Sequence, residues 1–206
     1  MHPYSIDTNE RKTIIFWLSF LSVLLSHYST SLLSLLNNPL SLYLKSPAPL
    51  AIFAILYLLF DKYFWKWKIF KFWIKTPDLN GVWEGEFVSS YSSPDSPKRK
   101  TKGKVKMTIE QTWTKIRICS DNGNGFSSSY SQLAGLFVDD RNGIVLKYEY
   151  ENDSQNFVDT MTRHTGFSML KYNSTTKTLD GGYYTDRHRR TYGNLNYKKL
   201  CKKPDQ

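Results

Sequence analysis

The sequence predicts two N-terminal transmembrane α-helices followed by an all-β domain, an eight-stranded antiparallel up-and-down β-barrel. Two long, nearly uncharged runs occupy the first 76 of the 206 residues. After Pro77 the hydropathy changes to an alternation with period two, and turn-forming residues separate eight such stretches. We therefore expect a two-helix membrane domain over residues 1–76 and a cytosolic β-barrel over residues 77–206.

The net charge of +10 divides equally between these two segments. Residues 1–76 carry eight basic and three acidic residues, and the rest of the chain carries twenty and fifteen. With 40% hydrophobic and 16% aromatic residues the chain can fill a core, which excludes an intrinsically disordered protein. The two cysteines, Cys119 and Cys201, exclude a disulfide-rich scaffold and agree with a reduced cytoplasmic compartment.

The first predicted span covers residues 14–36, which are 23 consecutive residues without a formal charge. At a rise of about 1.5 Å per residue this length crosses a hydrocarbon core of about 30 Å. A cleavable signal peptide is the alternative. The acidic residues Asp7 and Glu10 before the run, its length and the lack of an A-x-A site disfavour that alternative.

The second predicted span begins at Pro47 and is uncharged only as far as Phe60. A run this short would by itself favour a re-entrant or interfacial segment. Extension to Trp67 gives a full span that ends in Tyr63, Trp65 and Trp67, which is typical of an interfacial aromatic belt. We expect two spans joined by a short loop over residues 37–46.

Cations next to the spans predict the topology. Arg11 and Lys12 precede the first span, and five lysines follow the second within the segment KYFWKWKIFKFWIK, whereas the intervening loop has only Lys45. The positive-inside rule then places both termini in the cytosol, with the basic aromatic segment along the anionic inner leaflet. Interleaved lysines and aromatic residues also occur in nucleic-acid-binding proteins, but the position directly after a span favours lipid.

Four serines form a stripe along the first predicted helix, which we call the serine stripe. Ser19, Ser22, Ser26 and Ser29 recur at spacings of three and four residues. Small hydroxyl residues allow transmembrane helices to approach closely and to form hydrogen bonds with one another, so the stripe is a candidate oligomerisation surface. The alternative is that each hydroxyl bonds a carbonyl of its own helix.

Alternation of apolar and polar residues predicts the strands of the β-domain. In VKMTIEQTW, residues Val105, Met107 and Ile109 point to one side and the lysines and threonines to the other. Because no helical period interrupts the strands, we expect an antiparallel meander that closes into a barrel. The predicted strands lie near residues 81–91, 104–113, 115–120, 127–138, 143–151, 163–172, 178–186 and 190–199.

A barrel of eight strands is either filled by side chains or holds one small ligand. On several predicted strands the inward face changes from aliphatic to aromatic or polar towards one end, as the mouth of a pocket requires. Any one of these residues could be structural, since buried polar side chains often satisfy one another. Together they predict a polar-rimmed cavity lined by Gln111, Trp113, Tyr148, Tyr150, His164, Tyr183 and Thr185.

The segment DRHRRTYG predicts an anion site next to this cavity. Arginine has a planar fork that suits phosphate, and alternation leaves one or two of the three arginines facing inward. We assign Arg187 and Arg190 to phosphate, with tyrosines and Trp113 available for stacking. So compact a cluster suits a small anionic ligand better than a nucleic acid polymer. The basic run over residues 98–104 is expected in a loop, solvated or facing the membrane.

The sequence carries no strong catalytic or metal-binding motif. The four histidines show no ligand spacing, and P-loop, G-x-S-x-G and paired-histidine motifs are absent. We expect a protein that is not an enzyme and that needs no cofactor or metal. A Ser/His hydrolase acting on a membrane-associated substrate stays open as an alternative, although nothing marks one serine as an activated nucleophile.

Five segments in order give the chain a family resemblance: LNGVWEGEF, IEQTW, YEYEN, RHTGF and LDGGYYTDRHRRTYG. Together with the two N-terminal spans, they make it similar to the CD-NTase-associated protein 15 family, the two-transmembrane, β-barrel effectors of bacterial cyclic-oligonucleotide anti-phage signalling (CBASS). The resemblance covers essentially the whole chain. Its specificity lies in the arrangement, since G-x-W alone also occurs in lipocalin and avidin barrels.

The resemblance implies a bacterial inner-membrane protein that binds a cyclic dinucleotide made by a partner nucleotidyltransferase. Oligomerisation through the spans would then disrupt the membrane and kill the infected cell. On this interpretation Arg187 or Arg190 binds phosphate, Trp113, Tyr148, Tyr150 or Tyr183 stacks on a base, and Gln111, His164 and Thr185 read base or ribose edges. The alternative is a membrane-tethered barrel that binds a lipid or small hydrophobic ligand, which a purely apolar inward face would favour.

Overall fold

The computed structural model describes residues 1–35, 48–91, 100–122, 128–139, 143–153, 164–187 and 189–200. The predicted loop over residues 37–46 lies outside these ranges. The chain divides into two compact units. Residues 8–75 form one unit, and residues 1–7 together with residues 76–206 form the other.

The β-unit confirms the predicted eight-stranded antiparallel barrel. Each barrel strand pairs with its neighbour in the chain, and the first pairs with the last. A closed sheet leaves no long free edge. Two short N-terminal strands, β1 (His2–Pro3) and β2 (Ser5–Ile6), precede the eight barrel strands, which are β3 (Gly81–Ser89), β4 (Thr101–Gln111), β5 (Lys115–Asn122), β6 (Ser128–Asp139), β7 (Gly143–Asp153), β8 (His164–Asn173), β9 (Thr178–Thr185) and β10 (Tyr192–Lys199).

The core of the barrel follows the predicted alternation. On β4, Val105, Met107 and Ile109 are buried, while Lys104 and Lys106 are exposed. Facing strands contribute Trp83, Ile118, Leu136, Leu146, Leu170 and Leu179, each at most 1% exposed. Full burial stabilises the fold by roughly 1.5–3 kcal/mol for each large apolar side chain. Residues 101–104 of the basic run therefore belong to a strand, which corrects their expected place in a loop.

The helical unit contains α1 (Glu10–Leu35) and α2 (Pro49–Lys62), which pack against each other. Pro49 stands in the first turn of α2, where its missing N–H costs nothing. The helix ends earlier than the predicted Trp67, because Tyr63 leaves helical geometry with a φ of −124°. Two 3₁₀ turns follow, Phe64–Lys66 and Lys68–Phe72. Within the described ranges neither helix combines the length and apolarity that a membrane crossing requires.

Residues 1–7 belong to the barrel unit, although the sequence placed them with the membrane segment. β1 pairs antiparallel with β5, and β2 pairs parallel with β6. Tyr4 lies between these short strands and is only 3% exposed, as a member of the barrel core. A hydrophilic-looking N-terminus thus completes the barrel wall.

Candidate ligand-binding cavity

One end of the barrel contains a cavity of about 220 Å³. It lies where β3, β5, β7 and β9 end and where β4, β6, β8 and β10 begin, so all eight strands supply a lining residue or lead into one. Apolar side chains, including Phe87, Val105 and Leu195, form part of the wall. Hydroxyl groups, an amide, an imidazole and one guanidinium supply the rest, and the cavity is therefore amphipathic.

Tyrosines form the largest part of the lining. Tyr148, Tyr150 and Tyr197 are 4%, 9% and 1% exposed, and the rings of Tyr148 and Tyr150 lie 6.2 Å apart. Burial raises the pKa of each of these phenols, and of Tyr183, above the ordinary value of 10.0. For Tyr150, the neighbouring Tyr148 and Tyr183 add to this effect. All four phenols therefore stay protonated at neutral pH and can both donate and accept hydrogen bonds.

Serine and threonine hydroxyls surround the tyrosines. The Oγ1 atoms of Thr185 and Thr191 lie 3.0 Å apart and join the end of β9 to the start of β10. Ser168 is 1% exposed, and its Oγ has no hydrogen-bond partner among the described residues. Because buried polar groups are nearly always hydrogen-bonded, this hydroxyl is a candidate partner for a polar atom of a ligand.

Asn152 and His164 add an amide and an imidazole to the cavity wall. The amide Nδ2 of Asn152 lies 3.5 Å from Nε2 of His164, which is 7% exposed. These two residues are cross-strand partners on β7 and β8. An amide and an imidazole on one wall can recognise the polar edge of a nucleobase.

Arg189 is the cation of the cavity. It is half-buried and lines the cavity, and its guanidinium carbon lies 5.6 Å from the centre of the Tyr91 ring. Asp186 holds the surrounding turn in place, because its carboxylate accepts hydrogen bonds from the backbone N–H of Thr165 at 3.0 Å and of Arg189 at 3.2 Å. This turn therefore positions one arginine at the cavity.

The two arginines predicted at the site point elsewhere. Arg187 and Arg190 are exposed and do not line the cavity. β9 ends at Thr185, so strand alternation does not extend into the turn. Arg190 has a φ of 50°, and its Nε donates to the carbonyl of Arg187 at 2.9 Å. The structure thus places Arg189 at the cavity, and not Arg187 or Arg190. Which arginine binds phosphate stays a prediction.

Gln111 and Trp113 also lie away from the cavity, although both are buried as predicted. Oε1 of Gln111 accepts the backbone N–H of Leu79 at 2.9 Å. Its Nε2 donates to the Tyr4 hydroxyl at 3.2 Å, and that hydroxyl donates to the carbonyl of Trp113 at 2.9 Å. Alternation correctly predicted that both side chains point inward. They lie at the end of the barrel away from the cavity, where Tyr4 forms hydrogen bonds with the Gln111 side chain and the Trp113 carbonyl.

The structure brings five of the predicted residues to the cavity: Tyr148, Tyr150, His164, Tyr183 and Thr185. That these residues contact a ligand stays a prediction. Sequence reasoning missed Arg189, Asn152, Ser168 and Tyr197. Asn152 and Ser168 share the inward face with predicted residues, so strict alternation could have found them.

The serine stripe forms hydrogen bonds within its own helix. The Oγ atoms of Ser19, Ser22 and Ser29 donate to the carbonyls of Ile15, Ser19 and Ser26, at 2.7 to 2.9 Å. Ser22 is 3% exposed, whereas Ser19 is exposed and Ser26 and Ser29 are half-buried. These three hydroxyls thus bond carbonyls of their own helix, which was the alternative that the sequence left open. Oligomerisation through the stripe stays a prediction.

Comparison with known proteins finds similarity over both units. Residues 74–199 match the family model for the Cap15 cyclic dinucleotide receptor domain, and residues 12–66 match the model for the Cap15 TM helices. CD-NTase-associated protein 15 of Yersinia aleksiciae is 26% identical over 193 residues, which cover 89% of this chain and 86% of that protein.

Proposed function

The chain belongs to the Cap15 family, and on that premise we propose that it is a membrane effector of a bacterial anti-phage CBASS system whose barrel binds a cyclic dinucleotide. A partner nucleotidyltransferase makes the ligand during infection. Binding drives oligomerisation of the helices in the inner membrane, which disrupts the membrane and kills the cell. The protein acts as a receptor without catalysis of its own.

The observation that carries this proposal is the position of Arg189 beside a cavity walled by protonated tyrosines. A cyclic dinucleotide presents two phosphates and two bases. The guanidinium suits a phosphate, through charge-assisted hydrogen bonds, and a tyrosine ring suits a base, through stacking. The Asn152 and His164 pair and the buried Ser168 hydroxyl supply groups for base or ribose edges. These polar groups, set in a wall that is otherwise aromatic and apolar, favour a nucleotide over the lipid or hydrophobic ligand that the sequence left as an alternative.

The surface of the helical unit supports insertion into a membrane. Large apolar side chains are exposed along α1 and α2, among them Phe16, Phe20 and Leu58 at 63%, 50% and 66%. Soluble monomers rarely expose contiguous apolar patches of this kind. Trp67, Ile69 and Phe72, interleaved with lysines, extend the apolar surface beyond α2. With the match to the family's TM helices, this surface supports two spans with cytosolic termini.

Activation requires that the ligand distinguish two states. A ligand that binds the resting and assembled forms equally would shift nothing, however tightly it binds. We propose that the assembled state presents the cavity in its tighter-binding form. The serine stripe on α1 is the candidate contact between helices of neighbouring copies.

Titration of the full-length chain in lipid nanodiscs tests the ligand assignment. The panel is a set of cyclic dinucleotides that differ in base and in phosphodiester linkage, and oleate serves as the hydrophobic probe. A nucleotide at about 100 times its Kd should add about 2.7 kcal/mol of stability, or about 5–10 °C in Tm. Stabilisation by oleate alone would favour the lipid alternative and overturn the proposal.

A dye-release assay tests the consequence for the membrane. At a nucleotide concentration near the Kd of the wild type, liposomes that contain the wild-type chain should leak, and those with Arg189→Ala should leak at least severalfold less. Intact vesicles around a ligand-saturated wild-type protein would contradict membrane disruption while leaving the ligand assignment in place.

A further inference from the structure

The barrel has a seam between β5 and β6 that the N-terminus fills. Among the described residues, these strands pair directly only where Cys119, Ser120 and Asp121 face Tyr130, Ser129 and Ser128. Further along, residues 2–7, which we call the N-terminal strap, pair with both strands. His2 and Pro3 face Ile116 and Lys115 on β5, and Ser5 and Ile6 face Gly135 and Leu136 on β6.

Tyr4 anchors the strap in the core. Its ring is 3% exposed within the hydrophobic cluster of the barrel, against which Ile6 also packs. Its hydroxyl donates to the carbonyl of Trp113 at 2.9 Å and accepts from Nε2 of Gln111 at 3.2 Å. A buried aromatic ring with a satisfied hydroxyl is typical of a high-energy anchor at a binding interface.

Polar contacts hold the strap at both ends. Nε2 of His2 lies 2.8 Å from Oγ of Ser131, and the same Oγ accepts the backbone N–H of Ile118 at 3.0 Å. At the other end, the Asp7 carboxylate accepts the backbone N–H of Val138, at 2.9 and 3.1 Å. The strap is thus bound by strand addition with specific side-chain contacts, the mode by which a sheet edge binds an extended peptide.

The seam also forms part of the cavity wall. Ser120 and Ser129 face each other in the direct β5–β6 pairing, and both line the cavity. Without the strap, the diverging parts of β5 and β6 would be two exposed edges, and the short direct pairing would hold the wall alone. The strap and a ligand in the cavity therefore stabilise the same two strands at different points along their length.

We propose that the seam is a strand-binding site for residues 2–7 and that a cyclic dinucleotide in the cavity strengthens the binding of the strap to the seam. The bound strap in turn raises the affinity of the cavity for the nucleotide. The inference rests on the proposed function for the identity of the ligand. Coupling between two sites of one protein is reciprocal and typically changes affinity about 5–150-fold. Only Thr8 and Asn9 separate the strap from the first residue of α1, so tightening of the strap restrains the start of that helix.

Hydrogen exchange on the full-length chain in nanodiscs tests the coupling. The backbone amides of residues 2 and 4–7 should become at least fivefold more protected when the stabilising cyclic dinucleotide from the panel is added; Pro3 has no amide hydrogen. Tyr4→Phe removes only the hydroxyl and leaves the ring in the core, so the barrel keeps its fold. We expect this variant to bind the nucleotide at least fivefold more weakly, and its strap amides to exchange faster without ligand.

Tyr192→Phe is the matched control, because the Tyr192 side chain is 65% exposed and lies outside the cavity. It should bind the nucleotide as the wild type does. If the wild type binds the nucleotide while strap protection and the Kd of Tyr4→Phe stay unchanged, the coupling is overturned and the proposed function stands. If the wild type binds no member of the panel, the proposed function fails, and this inference fails with it.

Discussion

The carboxylate of Asp186 accepts a hydrogen bond from the backbone N–H of Arg189, with 3.2 Å between Oδ1 and N. The acidic Asp186 thus holds the turn that positions Arg189, the arginine that lines the cavity. An acidic side chain so near a proposed phosphate site would be unfavourable if it faced the ligand. Here it is occupied by backbone donors, since it also accepts the N–H of Thr165.

Replacement of Arg189 should weaken cyclic dinucleotide binding. A hydrogen bond to a charged group contributes about 1.5–3 kcal/mol, so Arg189→Ala should raise the Kd roughly 10–100-fold in calorimetric titration. Arg190→Ala is the matched control and should change the Kd less than twofold, because Arg190 is exposed in the same turn. An equal loss from both variants would contradict the assignment of the phosphate contact to Arg189.

Replacement of Asp186 should lower both stability and affinity. Asp186→Ala leaves the N–H groups of Thr165 and Arg189 without their acceptor, at a cost of about 1 kcal/mol or more in unfolding free energy. Thermal unfolding should show this loss, and the Kd should rise several-fold as Arg189 loses its position. Asp186→Asn keeps a side-chain oxygen acceptor and should recover most of the stability. If Asp186→Ala were as stable as the wild type, the conformation of the turn would not depend on the Asp186 carboxylate.

Gly166 leaves room for the Tyr150 ring. A Cβ atom at residue 166 would overlap Cζ and Oη of Tyr150, its cross-strand partner. Gly166→Ala should therefore push the ring into the cavity, with a loss of about 1–3 kcal/mol in stability and of ligand binding. In Gly166→Ala/Tyr150→Ala the overlap is gone, so the double variant should be more stable than the sum of the single losses, as a double-mutant cycle measures. Strict additivity would contradict the contact.

The buried tyrosines predict the alkaline stability of the barrel. Burial raises the pKa of Tyr148 and Tyr197 above 10.0, so the folded chain keeps protons that the unfolded chain releases. This stability is fully present below the unfolded pKa of about 10 and is lost as pH rises towards the raised values, by up to about 1.4 kcal/mol per pH unit and group. Thermal unfolding of Tyr197→Phe should fall less steeply above pH 10 than that of the wild type, whereas the exposed control Tyr192→Phe should follow the wild type.

The serine stripe should affect assembly and not ligand affinity. Leucine in place of Ser19, Ser26 and Ser29 removes three small residues and spares the buried Ser22. We expect an unchanged Kd and at least a severalfold loss of nucleotide-induced liposome leakage, because the helices can no longer approach closely. Ser31→Leu changes an exposed serine of the same helix off the stripe. Leakage reduced equally by Ser31→Leu would show that any added bulk is enough.

Alternation predicted the barrel well because each of its strands has one face in the core. It also predicted the inward direction of Gln111 and Trp113, but a strand pattern does not say which end of a barrel is open. The N-terminal strap supplies the partner of Gln111 and of the Trp113 carbonyl, and these residues lie about 110 positions from Tyr4 in the chain. Tyr4 and Ile6 alternate with Ser5 and Asp7 as in a strand, but so short a pattern does not indicate which strands it pairs with.

The arginine cluster lies beyond the point at which the alternation of side-chain directions along β9 ends. Thr185 ends β9, and the positive φ of Arg190 reverses the side-chain directions expected from an extended strand. The left-handed position is hard to recognise among three arginines in four residues, since left-handed geometry in a sequence is usually indicated by glycine or asparagine. The second helix presents a similar case, as its apolar run continues past Lys62 although the helix does not.

The closure of the barrel by β3 and β10 orders events during synthesis. Ser89 pairs with Gly193, so the sheet closes only after about 100 further residues have left the ribosome. Both strands line the cavity, with Phe87 and Ser89 from one and Leu195 and Tyr197 from the other. α1 and α2 are made long before β10. A nascent chain therefore has its helices before it has a closed receptor barrel, and a ligand that is already present can bind only to finished molecules.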